Sequence, residues 1–169
     1  MESKSTCRYV DYDMPMVGFV RLDKNAELPR CEFGDSIGYD LIIPDGVTVK
    51  KGGGVIPLGF SVSLPKGVGM FVVPRSGAAV KGVLGWKSRK DYESGSEPKR
   101  FDCEVRLGLV DPGYSGEVGI IVKNNGSQFY VPAGSSFAQA VFIRTLDVAW
   151  DVMETYDVYS ERGAQGFCS

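Results

Sequence analysis

The sequence predicts an all-β domain, a jelly-roll-like β-barrel or sandwich of short strands with one short helix after Ser76. Three observations carry that expectation. Apolar and polar residues alternate with a period of two in short runs, the pattern of half-buried strands. The runs recur at intervals of ~8–12 residues, with Gly and Pro between them. Those breakers are abundant, 22 glycines and 9 prolines in 169 residues, well above the roughly 12% usual for the two together. There is no long amphipathic helix and no internal repeat.

The elements follow in chain order. Phe19 to Leu22 is a first strand. Asp35 to Gly38 turns into a second, Tyr39 to Ile43, which Pro44 stops. Val47 to Val49 is short and ends at three glycines. Val55 to Leu64 carries Phe60, Val62 and Leu64 in alternation and closes at Pro65-Lys66-Gly67. Val68 to Val73 closes at Pro74. A turn or two of helix begins at Ser76, a good N-cap, and continues through Ala78, Ala79 and Val80. The stretch from Gly85 to Arg100 is rich in mixed charge without apolar period and reads as an exposed, solvated loop. Val105, Leu107 and Leu109 then alternate with Arg106, Gly108 and Val110. Asp111-Pro112-Gly113-Tyr114 fits a type II turn, with Pro fixing φ and Gly accepting φ > 0. Val118, Ile120 and Val122 resume the alternation, which places Asp111 and Tyr114 at the mouth of a hairpin. Further strands are expected at Gln128 to Val131, Ser136 to Ile143 and Asp147 to Met153. The organisation is a flexible N-terminal segment over 1–14, one β domain over 15–158 with an inserted loop at 85–103, and a mobile C-terminal arm over 159–169.

Composition narrows the chemistry. The chain has no histidine, which removes Ser-His and Cys-His nucleophilic catalysis and His-ligated zinc hydrolases. A general base at neutral pH is then a carboxylate. Cys7, Cys31, Cys103 and Cys168 show no metal-ligand spacing, and no signal peptide precedes them, so an intracellular, reducing compartment (cytoplasm or nucleus) is expected. No apolar run approaches the ~20 residues that span a bilayer, so no membrane partner is expected. The net charge of −2 offers no global positive field for a nucleic-acid polymer. A P-loop sequence is absent. Pro74-Arg75-Ser76-Gly77 carries phosphate-binding ingredients instead: a guanidinium, a hydroxyl, a glycine that lets backbone approach a ligand, and the start of a helix. Asp111 is the candidate base, held by a rigid turn.

Taken together, these segments resemble the trimeric dUTPase family (deoxyuridine 5′-triphosphate nucleotidohydrolases). Five motifs stand in the family's order: Gly38 to Leu41 (GYDL), Pro74 to Lys81 (PRSGAAVK), Gly108 to Gly119 (GLVDPGYSGEVG), Gly134 to Gln139 (GSSFAQ) and Arg162 to Phe167 (RGAQGF). The resemblance implies hydrolysis of dUTP to dUMP and pyrophosphate with Mg2+ on the triphosphate, in a homotrimer with shared active sites. It implies that Asp111 activates the attacking water and that Arg75 steadies Asp111. Ser76 and Gly77 would hold phosphates, supported by Gln139. The strand from Val105 through Gly108 to Leu109 would read uracil through its main chain, and Tyr114 would lie under the deoxyribose. Asp40 would lie near the water shell of the metal. Arg162, Gly166, Phe167 and Ser169 would close over the substrate, Phe167 stacking on uracil.

The chain departs from the family pattern at Ser136, where arginine is usual, at Gly113, which replaces an acid, and at Gln165 and Cys168, which replace glycines. Alternative readings are a dCTP deaminase or bifunctional deaminase-dUTPase, whose glutamate would fall at Ile121, a family member that binds nucleotide or protein without turnover, and a plain β-sandwich interaction module.

Overall fold

The computed structural model describes residues 14–154; the expected N-terminal segment, apart from Met14, and the expected C-terminal arm lie outside the described residues. The strands are β1 (Gly18–Arg21), β2 (Gly38–Leu41), β3 (Val47–Val49), β4 (Gly54–Pro57), β5 (Phe60–Ser63), β6 (Val68–Pro74), β7 (Val83–Gly85), β8 (Lys99–Phe101), β9 (Cys103–Val105), β10 (Gly108–Val110), β11 (Gly119–Asn124), β12 (Phe129–Val131) and β13 (Ala138–Arg144). Two helices, α1 (Ser76–Lys81) and α2 (Arg89–Glu93), join them. The fold is the jelly-roll-like all-β arrangement that the period-two runs predict.

The longest pairing is between β6 and β13, seven residues from Ala138↔Pro74 to Arg144↔Val68. It is the spine of a four-stranded antiparallel sheet ordered β10-β6-β13-β2. A second sheet is ordered β4-β11-β9, and β1-β5, β12-β3 and β7-β8 form two-stranded ribbons. The core lies between these layers. Leu41, Ile43, Leu58, Phe60, Ile120 and Phe129 are all at most 1% exposed, and full burial of such a side chain stabilises by ~1.5–3 kcal/mol.

The run expected as one strand from Val55 to Leu64 divides at Leu58-Gly59. The cause is long-range. The Leu58 N–H donates to the Val118 carbonyl (3.0 Å), and the Val118 N–H donates to that of Phe60 (2.8 Å). The Gly59 N–H donates to Glu117 Oε1 at 2.7 Å. Gly59 takes φ 71°, so β4 joins β11 while β5 turns away to β1. A Cβ on Gly59 would come within 2.8 Å of the Asp23 Cβ and 3.1 Å of the Ala26 Cβ. Gly67 has a similar φ of 81° and open space around it. Gly59→Ala should therefore cost about 1–3 kcal/mol of stability, and Gly67→Ala clearly less. Chemical denaturation of the two variants checks this; equal losses would show that the close approach at Gly59 carries no energy.

Three expectations fail here for identifiable reasons. The segment expected as an exposed loop within 85–103 is largely exposed but carries regular elements. β7 and β8 pair from Val83↔Phe101 to Gly85↔Lys99, and Ser88 caps α2 by accepting from the Asp91 N–H. Aromatic anchors hold the segment down. Trp86 exchanges both backbone hydrogen bonds with Tyr130 (2.9 and 2.7 Å), and its ring meets Tyr92, which meets Tyr130, at centroid distances of 4.9 and 5.6 Å. Phe101 stacks on Phe129 at 4.4 Å. Anchors this irregularly spaced leave no period to detect. Ser76 is not the N-cap of α1: Arg75 holds that position without a side-chain cap. Residues 147–153 form no strand. Leu146, Val148, Trp150 and Val152 are 70–95% exposed, and among the described residues no neighbouring strand supplies the hydrogen bonds that an extended segment needs.

Candidate active site

Strand register assembles the first half of the site. Asp40 on β2 pairs with Gln139 on β13, which pairs with Val73 on β6, so three antiparallel strands carry one row of residues to the end of the sheet. Arg75 follows two residues beyond Val73. Its Nη1 meets Asp40 Oδ2 at 2.9 Å and its Nη2 meets Glu32 Oε2 at 3.1 Å. The Gln139 Nε2 donates to the Pro74 carbonyl at 3.2 Å. Gly38 is required beside it, because the Gln139 carboxamide occupies the space that a Cβ would take. The Arg75 N–H donates to the Phe137 carbonyl at 3.0 Å, which ties the start of α1 to β13. Ser76 and Gly77 then lie exposed at the opening of a cavity of ≈ 380 Å³ bounded also by Trp86, Arg100 and Ser136. The Ala78 and Ala79 N–H groups donate to the Arg75 carbonyl (3.0 and 2.9 Å), which leaves those of Ser76 and Gly77 without an intrahelical acceptor.

Asp40 sits in this cluster with its carboxyl held above the ordinary aspartate range. Burial is the main cause; the Arg75 guanidinium pulls the other way, and the Glu32 carboxylate adds to the rise. Arg75 is thus committed to two acids. Glu32 has no sequence signature and was not expected in the site.

The second half is the turn after β10. The Tyr114 N–H donates to the Asp111 carbonyl at 3.0 Å, closing the expected four-residue turn. Gly113 does not take a positive φ, so the turn is not type II. A hydrogen-bonded turn without that requirement tolerates most residues. The Tyr114 hydroxyl donates to the Glu117 carbonyl at 3.0 Å, and its ring crosses the face of Gly116, where a Cβ would collide with it. Asp111 is exposed, and among the described residues no side-chain bond engages its carboxylate.

The expected continuous strand through Val105 and Leu109 is two strands with different partners. Val105 on β9 pairs with Val122 on β11, whereas β10 pairs with β6 through Gly108↔Val72 and Leu109↔Phe71. Leu107 and Leu109 are 64% and 58% exposed, while Val110 is buried. The hairpin mouth therefore opens, and Gly108 faces it with the Ile121 side chain 3.9 Å from where a Cβ would be. The position at which a deaminase would need its glutamate holds an aliphatic group.

The two halves do not meet in one chain. Val110 pairs with Met70 near the start of β6, while Arg75 follows its end, a separation of about 15–20 Å at the ordinary strand rise. Arg75 stands against Asp40 and Glu32 rather than against Asp111. Arg162, Gly166, Phe167 and Ser169 lie outside the described residues. Cys103 offers no alternative nucleophile: it is buried, and burial, with Asp102 and Glu104 nearby, pushes its thiol up to about 11.

No group of three His, Cys, Asp or Glu side chains among the described residues could cage a metal ion. A Mg2+ ion bound chiefly by phosphates and water would need no such cage. No helix of the described residues is long and apolar enough to cross a membrane.

Together these parts make an all-β domain with an Arg75-Ser76-Gly77 corner at one end of β6 and a turn-borne carboxylate near the other. The chain belongs to the dUTPase family, whose model matches residues 24–92 and 93–169. It is 32% identical over 151 residues to the deoxyuridine 5′-triphosphate nucleotidohydrolase of Yarrowia lipolytica, covering 88% of this chain and 84% of that protein. The corresponding rice protein (Oryza sativa subsp. japonica) is 30% identical, covering 92% and 80%. Among solved structures, the dUTPase of Staphylococcus bacteriophage 80alpha with dUpNHpp superposes with a TM-score of 0.74 at 22% identity, covering 90% of this chain and 96% of that one. The dUTPase from phage phi11 of S. aureus, described with a species-specific insert, gives 0.68 at 19% identity, covering 85% and 99%. At such identities the superpositions speak for the fold alone.

Proposed function

We propose that this chain hydrolyses dUTP to dUMP and pyrophosphate, with the catalytic carboxylate and the phosphate cradle of each site coming from different copies. The observation that carries the second clause is the separation of Asp111 from Arg75 along β6. The first clause rests on family membership and on the residue types at the two ends.

Asp111 accepts a proton from water as the water oxygen bonds to the α-phosphorus. The bond from that phosphorus to the bridging oxygen breaks, and pyrophosphate leaves. The turn that holds Asp111 is closed by backbone, which supports a positioned carboxylate of the kind a general base requires. Ser76 and Gly77 hold phosphate oxygens, Gln139 braces the Pro74 carbonyl beneath them, and Arg75 faces the charge. Bound Mg2+ would spread the charge of the triphosphate and align it, with Asp40 oriented toward its water shell. Gly108 and the exposed backbone edge near Leu109 read the uracil edge, and Tyr114 excludes a ribose 2′-OH. Cytosine is rejected because polar groups left unpaired cost ~1–3 kcal/mol each. Arg162, Gly166, Phe167 and Ser169 close over the substrate.

A homotrimer is the assembly we infer. Two features support more than one copy. Residues 145–153 form no strand or helix and leave Val148 and Trp150 exposed, and Leu107 and Leu109 expose apolar surface beside the turn. Both are accounted for when a second chain covers them. An intracellular, reducing compartment remains part of the proposal.

Pyrophosphate release from dUTP, dCTP, dTTP and UTP, each with and without Mg2+, tests the function. Release from dUTP alone, strengthened by Mg2+, is expected. Ammonia release from dCTP, or no turnover of any of the four, would contradict it.

A further inference from the structure

The segment expected to be a bland loop places a second guanidinium on the wall of the phosphate cavity. A nucleotide triphosphate carries three to four negative charges at neutral pH. The cavity that would receive it is lined by Arg75, Ser76, Gly77, Trp86, Arg100 and Ser136, among others. The positive charge of Arg75 is spent on Asp40 and Glu32, at 2.9 and 3.1 Å, so that cluster alone is net negative. Ser136 adds no charge, and its hydroxyl donates to the Ala138 carbonyl at 3.3 Å. Arg100 is the other guanidinium on the cavity wall, and among the described residues no acid pairs with it.

We propose that Arg100 is a phosphate-binding residue of this site, supplied by β8 and directed at the outer end of the triphosphate. This rests on the dUTP reading above. Arg100 pairs with Leu84 in the β7-β8 ribbon, and the ribbon is fixed from both sides. Trp86 bonds to Tyr130 on β12, its indole N–H donates to the Ser96 carbonyl at 2.6 Å, and Phe101 stacks on Phe129. The guanidinium is anchored by one donor, Nη1 to the Gly82 carbonyl at 2.9 Å. An arginine has five such donors, so the fork keeps most of its capacity for phosphate oxygens. Gly82 lies at the far end of α1 from Ser76, and a six-residue helix is about 9 Å long. The guanidinium bonded to the Gly82 carbonyl therefore stands about one helix length from Ser76 and Gly77, on the wall of the same cavity. Arg100 supplies what Ser136 lacks, from a different element.

A purely structural role would be to satisfy the Gly82 carbonyl, and the test separates the two. Arg100→Gln removes the charge and keeps an amide donor, and the melting temperature reads any loss of the Gly82 contact. Calorimetric titration of the full chain with dUMP, dUpNHpp and inorganic triphosphate, beside its melting temperature, is the measurement. Arg100→Gln should bind dUpNHpp and inorganic triphosphate about tenfold more weakly, with dUMP affinity and melting temperature unchanged, and Arg100→Lys should fall between. Unchanged dUpNHpp affinity, or equal weakening of dUMP, would overturn the proposal. Turnover of dUTP by the parent chain is read in the same series. A parent that binds triphosphate through Arg100 but releases no pyrophosphate would sink the hydrolytic reading and leave this one standing.

Discussion

Replacing Asp111 by Asn should lower kcat for dUTP by about 10²–10⁴-fold, the usual contribution of a positioned general base, while dUpNHpp still binds. The expectation follows from how little else the carboxylate does. The side chain is exposed, and the turn is closed by backbone, Tyr114 N–H to Asp111 C=O at 3.0 Å. Asn is itself a good turn residue, so the bend survives the substitution. What disappears is the one group at that corner able to take a proton. Steady-state kinetics and calorimetric titration with the analogue measure the two halves separately. Residual kcat above a tenth of the parent value would remove Asp111 from the role of base, and parallel loss of binding would make it a substrate anchor instead.

Arg75→Gln should act at the other end of β6, through binding and charge together. A loss of about 10²–10³ in kcat/KM is expected, comparable to removal of one charged or oxyanion-stabilising donor in a closed site. The substitution also leaves Asp40 and Glu32 side by side without their shared counter-charge. Arg75 holds the Asp40 carboxyl down against burial, so its removal lets that carboxyl rise further. The sign follows: Asp40 serves the site as an anion, and activity that needs the anion fades as pH falls through its pKa. In Arg75→Gln that acid limb should move to higher pH. A pH profile of kcat/KM reads this directly, and an unmoved or acid-shifted limb would show that Asp40 does not titrate in the activity. The exposed turn at Asp111 should be untouched, because the two groups share no contact within one chain.

The sequence reveals this molecule best where local pattern and burial agree. Val68 to Val73 is an unbroken apolar run paired on both edges, so its strand is plain, and so is the hydrogen-bonded turn at Asp111. The site residues stood out as residue types, a guanidinium before Ser-Gly and an acid before Pro-Gly. Their grouping did not. Arg75 meets Asp40 because β2, β13 and β6 lie in register, and Glu32 joins them from a segment without any pattern. No period in the sequence says at which end of β6 the Asp111 turn falls, yet that fact divides the site. The break at Gly59 depends on Val118 and Glu117, far along the chain. The segment around Trp86 looked solvated because charge outnumbers its few anchors, although Trp86, Tyr92 and Phe101 suffice to hold it. The alternation of Val148, Trp150 and Val152 is real, but a strand also needs a neighbour, and the described residues supply none.

The claim that the base and the cradle of one site come from different copies can be tested by mixing the two damaged chains. Asp111→Asn and Arg75→Gln, each nearly inactive alone, are unfolded together in equal amounts and refolded, with native mass spectrometry confirming mixed oligomers. If each site takes its cradle from one copy and its carboxylate from another, random assembly restores about a quarter of parental dUTP turnover. Mixed oligomers no more active than the sum of the two separate variants would mean that each chain completes its own site, against the separation along β6.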